Sequence, residues 1–157
     1  MIEIREVDFE TCKEMWSNRL WPGRTDIRAL SSMLPFGGND VSIYHKYSPV
    51  FVGLVIGNTL IGVNSIHETG EGYVRSRGLW IEPEYRGNGY GVELLNVSKQ
   101  WAATKLNGDY IWSLPKKVSW STYKKAGFIQ YSDWTNDFDF GPNAYALQGL
   151  SQLKTAA

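Results

Sequence analysis

The sequence predicts an α/β (α+β) fold, a mixed sheet flanked by helices, from three observations. Two apolar, β-branched runs, 50–56 and 60–66, flank Gly57-Asn58-Thr59 as the arms of a hairpin flank their turn. A longer strand pattern, Tyr73 to Glu82, stops at Pro83 and leads through a glycine-rich loop into an amphipathic helix marked by Val92, Leu95, Trp101, Ala102 and Leu106. Strand, helix and strand patterns then follow in turn. With 157 residues the chain fits one domain, 1–157, since domains cluster near about 100–150 residues.

The elements follow in order. Residues 2–7 alternate apolar and polar, as a half-buried strand does. Asp8 is placed to cap a helix whose buried face is Phe9, Cys12, Trp16 and Leu20, broken at Trp21-Pro22-Gly23. A second helix is expected over Asp26–Leu34, closed by Pro35 and Gly37-Gly38. After the hairpin, the long strand and its helix, which ends near Asn107-Gly108, a strand is expected at 109–114 and a short helix around 119–126. Strands near 127–133 and 143–149 complete the chain.

Composition narrows the functional classes. Sixteen basic and sixteen acidic residues cancel, a poor basis for non-specific binding to nucleic acid. Cys12 is the lone cysteine, so no internal disulfide is expected, and no Cys/His spacing suits a metal. The start lacks the basic and apolar regions of a signal peptide, and no apolar run nears the roughly 18 residues of a spanning helix. A soluble, cytoplasmic protein with no membrane and no nucleic-acid partner is expected.

The stretch Ile81-Glu82-Pro83-Glu84-Tyr85-Arg86-Gly87-Asn88-Gly89-Tyr90-Gly91-Val92 joins a strand to a helix. Its glycines let the backbone approach a ligand, and the first amides of a helix lack intrahelical partners and attract anions. A phosphate site is implied. A P-loop is excluded because no Gly-Lys pair exists, and the dinucleotide fingerprint counted from Gly87 fails because its last glycine falls on Val92.

What remains is Arg-x-x-Gly-x-Gly after a strand ending in Ile-x-Pro, and it resembles the coenzyme A motif of the GNAT family, the Gcn5-related N-acetyltransferases. About 30 residues on, Tyr123-Lys124-Lys125-Ala126-Gly127-Phe128 resembles that family's Tyr-x-x-x-Gly-Phe segment. The order of elements agrees from the first strand to the last. The resemblance implies a mixed, mostly antiparallel central sheet, an acyl-CoA N-acyltransferase fold, and acetyl-coenzyme A as co-substrate without a metal. It implies that the backbones of Leu79 and Ile81 pair with the pantetheine arm. The amides of Arg86, Gly87, Asn88, Gly89, Tyr90 and Gly91 would hold the pyrophosphate, and Lys125 would reach a phosphate. It also implies Tyr123 near the sulfur. Where the family often has Asn, seven residues before that tyrosine, this chain has Lys116.

Amide formation needs a neutral amine and a proton for the departing thiolate. A phenol with an ordinary pKa near 10 can supply that proton, which makes Tyr123 the candidate acid. Glu82 is the candidate base; Glu68, a water chain or a backbone carbonyl are alternatives. His67 and Glu68 are consecutive on a strand and face opposite sides, so they form no dyad, and His67 reads as structural. Arg75 and Arg77 share a strand face and read either as a grip on a substrate carboxylate or as exposed charges. Lys116, Lys117, Lys124 and Lys125, with Trp120 and Tyr123, read as flanking the coenzyme's phosphates rather than a nucleic acid.

The expected reaction is acetyl transfer to a primary amine of a small molecule. The resemblance implies that Trp16, Trp21 and Phe36 face Tyr131, Trp134, Phe138 and Phe140 across the acceptor site, with Asp133, Asp137 and Asp139 attracting a cationic amine; a solvated acidic loop whose aromatics cap the sheet is the alternative. A non-catalytic coenzyme A-binding module and a protein or peptide acetyltransferase are the alternatives, and a homodimer is left open.

Overall fold

The sheet is built around the hairpin. In the computed structural model, which describes residues 1–155, β2 (Val50–Ile56) and β3 (Thr59–Glu68) pair antiparallel across Gly57-Asn58. Both strands are apolar on both faces because both faces are covered. Phe51 and Val63 face α1 (Phe9–Met15), while Val52, Leu54 and Ile61 belong to the opposite core with Leu94. Each large apolar side chain taken fully out of water contributes about 1.5–3 kcal/mol, so this central pair anchors the fold.

Around it the strand order is β1-β2-β3-β4-β5-β7-β6. The strands are β1 (Ile2–Val7), β4 (Tyr73–Ile81), β5 (Tyr110–Ser113), β6 (Ile129–Gln130) and β7 (Ala146–Gly149). Every pairing is antiparallel except β4 with β5. The result is a seven-stranded, mostly antiparallel open sheet with helices on its faces, the mixed sheet that the sequence predicts.

Asp8 caps α1 by accepting from the Thr11 amide at 2.8 Å, and the helix then widens into a π-turn over Trp16–Leu20. The expected face is present: Cys12 and Trp16 are wholly buried and Phe9 packs on Phe51. On the other side of the sheet lie α3 (Tyr90–Thr104), α4 (Trp120–Lys125) and α5 (Ser151–Thr155). Their core joins Leu95, Ala102 and Ala126 to Ile66, Val74 and Phe128.

Three expectations of local structure are corrected. No helix forms over Asp26–Leu34; the one helix between the π-turn and β2 is the single turn α2 (Ile43–Lys46). The segment's polar groups are claimed by the sheet instead. Arg77 donates to the Arg28 carbonyl at 2.8 Å, and the Ser31 amide donates to His67 Nε2 at 3.3 Å, while Ile27 and Leu30 are buried. The strand expected at 127–133 is only β6. Past Tyr131, whose amide still donates to Tyr145, the Ser132 hydroxyl takes the Tyr145 amide and replaces the ladder. The strand expected at 143–149 correspondingly begins at Ala146.

One irregularity positions the site. Between the pairs Val63–Trp80 and Ser65–Arg77, β4 makes three steps while β3 makes two, a bulge at Gly78. Gly78 has φ +81°, and a Cβ there would stand 2.4 Å from the Trp16 ring, whose Nε1 donates to the Gly78 carbonyl at 2.8 Å. Only a glycine fits that approach. Past Arg75, β4 no longer pairs with β5: their ladder covers Tyr73–Arg75 and Tyr110–Trp112. The sheet is therefore open between the two strand ends.

Candidate active site

At the end of β4 the chain turns through Pro83–Tyr85 into the glycine loop and α3. Gly87 and Gly89 hold φ near +80°, and Gly89, the N-cap of α3, brings no side chain to its first turn. The first-turn amides are thus left for an outside anion, which the helix dipole also favours. Arg86 braces the loop from behind. Its Nε donates to the Ile81 carbonyl at 2.8 Å and its guanidinium covers the Trp80 ring at 4.5 Å. Asn88 folds back likewise, its side-chain amide donating to the Tyr85 carbonyl at 3.0 Å. Gly91 lies against α4: an added Cβ would be 2.9 Å from the Thr122 methyl.

From this loop a cleft of about 810 Å3 runs along the opening between β4 and β5. Leu79, Ile81, Arg86, Gly87, Gly89, Tyr90, Gly91, Tyr123 and Lys125 all line it. Asn88 does not. Ile81's carbonyl already accepts from Arg86 and retains one lone pair for a ligand.

Tyr123 is held by α4 against Phe128, their rings edge to face at 5.4 Å, and only 6% of its surface is exposed. Burial pushes its phenol up to about 12, with Ser113 and the Arg75 guanidinium pulling the other way. The proton therefore stays on the oxygen at neutral pH, the state an acid needs. Ser113, which the sequence did not single out, lies on β5 at the edge of the opening and donates to the Ser76 carbonyl at 2.8 Å.

The far end of the cleft lies on the α1 face of the sheet. Arg75 and Arg77, two residues apart, both reach it and neither is an exposed strand charge. Arg75 donates to the Ser31 hydroxyl at 2.8 Å and lies over Trp112 at 5.1 Å; its Nε is buried without a partner. Arg77 lies over Trp16 at 5.1 Å and Trp21 at 5.0 Å. Burial, then mutual repulsion, pushes Arg75 down to about 9; burial, then Arg24, pushes Arg77 down to about 10. Arg24 lies between Trp21 at 5.0 Å and Phe140 at 5.5 Å.

Several candidates lie elsewhere. Glu82 does not line the cleft, and both its carboxylate oxygens are taken, one by Trp80 Nε1 at 2.8 Å and the other by Arg19 at 3.0 Å. This geometry gives a base role for Glu82 no support. Glu68 is also outside the cleft, and so are Asp133, Asp137 and Asp139, all three exposed. Among the described residues the charged side chains lining the cleft are Arg24, Arg75, Arg77, Arg86, Lys116 and Lys125, with no Asp, Glu or His. The aromatic segments do meet, Phe36 with Tyr131 at 5.5 Å, and Trp21 and Phe140 through Arg24. His67 is wholly buried. Its Nε2 accepts from Ser31, so Nδ1 carries the proton and donates to the Glu68 carbonyl at 3.0 Å. No helix among the described residues is long and apolar enough to cross a membrane, and no three metal-ligating side chains cluster there.

A glycine loop at a helix N-terminus thus opens onto a gap between two parallel strands. Residues 14–128 match the acetyltransferase (GNAT) family, and the chain belongs to that family of acyltransferases, whose co-substrate is acetyl-coenzyme A. No curated protein matches the sequence. Among solved structures the chain is similar to a protein of Lactobacillus plantarum assigned as an N-acetyltransferase, at 15% identity and TM-score 0.69, over 95% of this chain and 98% of that one. It is similar also to a Klebsiella pneumoniae protein assigned as an acyl-CoA N-acyltransferase, at 15% identity and TM-score 0.67, over 96% of this chain and 98% of that one. A third likeness is to the dodecameric spermidine N-acetyltransferase of Vibrio cholerae, at 14% identity and TM-score 0.67, over 99% of this chain and 98% of that one. At these identities the likeness is one of fold.

Proposed function

We propose that this chain transfers the acetyl group of acetyl-coenzyme A to a primary amine of a small molecule, by direct attack. The observation that carries this reading is the opening between β4 and β5, one cleft that joins the amide-lined loop to a pocket on the opposite face. The loop backbone from Arg86 to Gly91 would hold the pyrophosphate, the edge of β4 at Leu79 and Ile81 the pantetheine arm, and Lys125 a phosphate. The co-substrate supplies a thioester carbonyl open to attack and a thiolate that needs a proton. Tyr123 Oη, kept protonated by burial, delivers that proton.

The amine must arrive or become neutral. Arg75 and Arg77 favour this directly, because neighbouring positive charge lowers an amine's pKa. With that help the amine's proton can leave to solvent in the open cleft, and no carboxylate base is required. A cytoplasmic location and a homodimer belong to the same proposal; a solution mass by light scattering checks the second.

The test pairs binding with turnover. Acetyl-coenzyme A at about 100 times its Kd should add about 2.7 kcal/mol to the unfolding free energy. Free thiol should then be released only when an amine is added. Unchanged melting in a folded sample sinks the reading; stabilisation without thiol release from any amine in a broad panel would make the chain a binding module.

A further inference from the structure

We propose that the acceptor amine also carries a carboxylate, and that Arg24, Arg75 and Arg77 hold it on the α1 face of the sheet. This rests on the acetyl-transfer reading above and adds the substrate class to it.

On β4, Ser76 is turned toward α3, where Asn64 bonds both it and Ser98. Its neighbours Arg75 and Arg77 therefore project to the other face, away from the loop at the α3 N-terminus. Their contacts with Ser31, Trp16 and Trp21 agree. Arg24 reaches the same end of the cleft from the segment after the π-turn. The three guanidinium groups thus form a second cationic site, across the sheet from the one suited to pyrophosphate.

Among the described residues, Arg19 and Arg28 are ion-paired, but Arg24, Arg75 and Arg77 are not. Buried cations are normally paired, because removing them from water is costly. Arg75 is 6% exposed, gives one hydrogen bond to a neutral hydroxyl, and keeps a buried Nε with no partner. A guanidinium has five donors in a planar fork that matches a carboxylate. A ligand carboxylate supplies both the missing charge and the missing acceptors.

With no Asp or Glu lining the cleft, a polycation meets only like charge. A net-neutral amino acid, whose carboxylate lies against the arginines, does not. The aromatic surfaces of Trp21 and Phe140, already occupied by Arg24, do not offer a cage for a free ammonium.

The experiment measures thiol release with amino acids, with the amines left by removing their carboxylates, and with spermidine as a polycation. It uses the parent chain, Arg24→Gln and Arg77→Gln. Arg24 is exposed, so its variant leaves the core intact; Arg75→Lys serves at the buried position, where a neutral side chain can fail to fold. The parent should prefer at least one amino acid over its decarboxylated partner by roughly ten-fold or more in kcat/KM, and the amino acid alone should raise the melting temperature. In Arg24→Gln and Arg77→Gln that preference should fall about ten-fold; in Arg24→Gln the loss should lie in KM for the amino acid, with KM for acetyl-coenzyme A unmoved. Equal or better use of the decarboxylated amines or spermidine overturns the proposal, and so does an unaltered preference in both variants. If acetyl-coenzyme A itself does not bind, this proposal and the acetyl-transfer reading fall together; if it binds and amines without a carboxylate react fastest, only this one fails.

Discussion

Tyr123 shows how far one atom carries the chemistry. Its ring belongs to the core with Phe128, while the residue lines the cleft beside the end of β5. Tyr123→Phe removes the hydroxyl and keeps the ring, so the edge-to-face contact and the fold should persist. Acetyl-coenzyme A should still stabilise the variant, and turnover should drop by the roughly 10²–10⁴-fold typical of a lost acid. Turnover close to the parent's would leave the tyrosine a packing role only. The lone Cys12 invites no such experiment: burial pushes its thiol up, and it faces the apolar cluster around Trp16 and Phe51.

Elements translate that residue chemistry into a site, and the loop before α3 does so through what it lacks. Gly91 lies in the first turn of α3 with Thr122 of α4 directly opposite. Gly91→Leu places a branched side chain in that space and in the path of anything approaching the first-turn amides. The variant should remain folded, since the nearest obstacle is a side-chain methyl, yet lose the melting shift given by acetyl-coenzyme A. A normal shift would mean that the amides are not the binding surface. This loop, the hairpin and the α1 face were legible in the sequence because each is encoded locally, by a turn dipeptide, a cap or an apolar period. The segment 26–34 was not, because Arg77 and His67, far away in sequence, provide its hydrogen-bond partners. The same distance hid Arg24, whose position after Pro22-Gly23 has no pattern of its own, and it misdirected the reading of Glu82. That side chain ends a strand, where the sequence offers a candidate base, but it bonds Arg19 and Trp80 and does not line the cleft.

At the scale of the whole molecule, stability toward acid should depend on His67. Its ring fastens the 24–34 segment, which walls the far end of the cleft, to the centre of the sheet through the Ser31 amide. Burial, reinforced by Arg75 and Arg77, pushes the folded-state imidazole down to about 3, although the Glu68 carbonyl opposes this. In the unfolded chain the same group titrates near an ordinary value of about 6.5. Between those two values the unfolded state binds a proton that the folded state refuses, so stability is greatest above pH 6.5 and declines as the pH falls toward 3. The slope from this one group is at most about 1.4 kcal/mol per pH unit. Asp8 and Asp40 are also held below the ordinary carboxylate range, by hydrogen bonds from Thr11 and Ser42, and their contributions are lost only as the pH falls below about 4. The interval from pH 6.5 to 4.5 therefore lies above those carboxylate contributions and tests His67. His67→Gln keeps a side-chain acceptor within reach of Ser31 and cannot titrate. Its stability at pH 7 should be lower than the parent's, but its denaturant midpoint should be nearly flat from pH 6.5 to 4.5, where the parent's falls. Parallel curves for the two proteins would show that the buried ring does not govern the acid response.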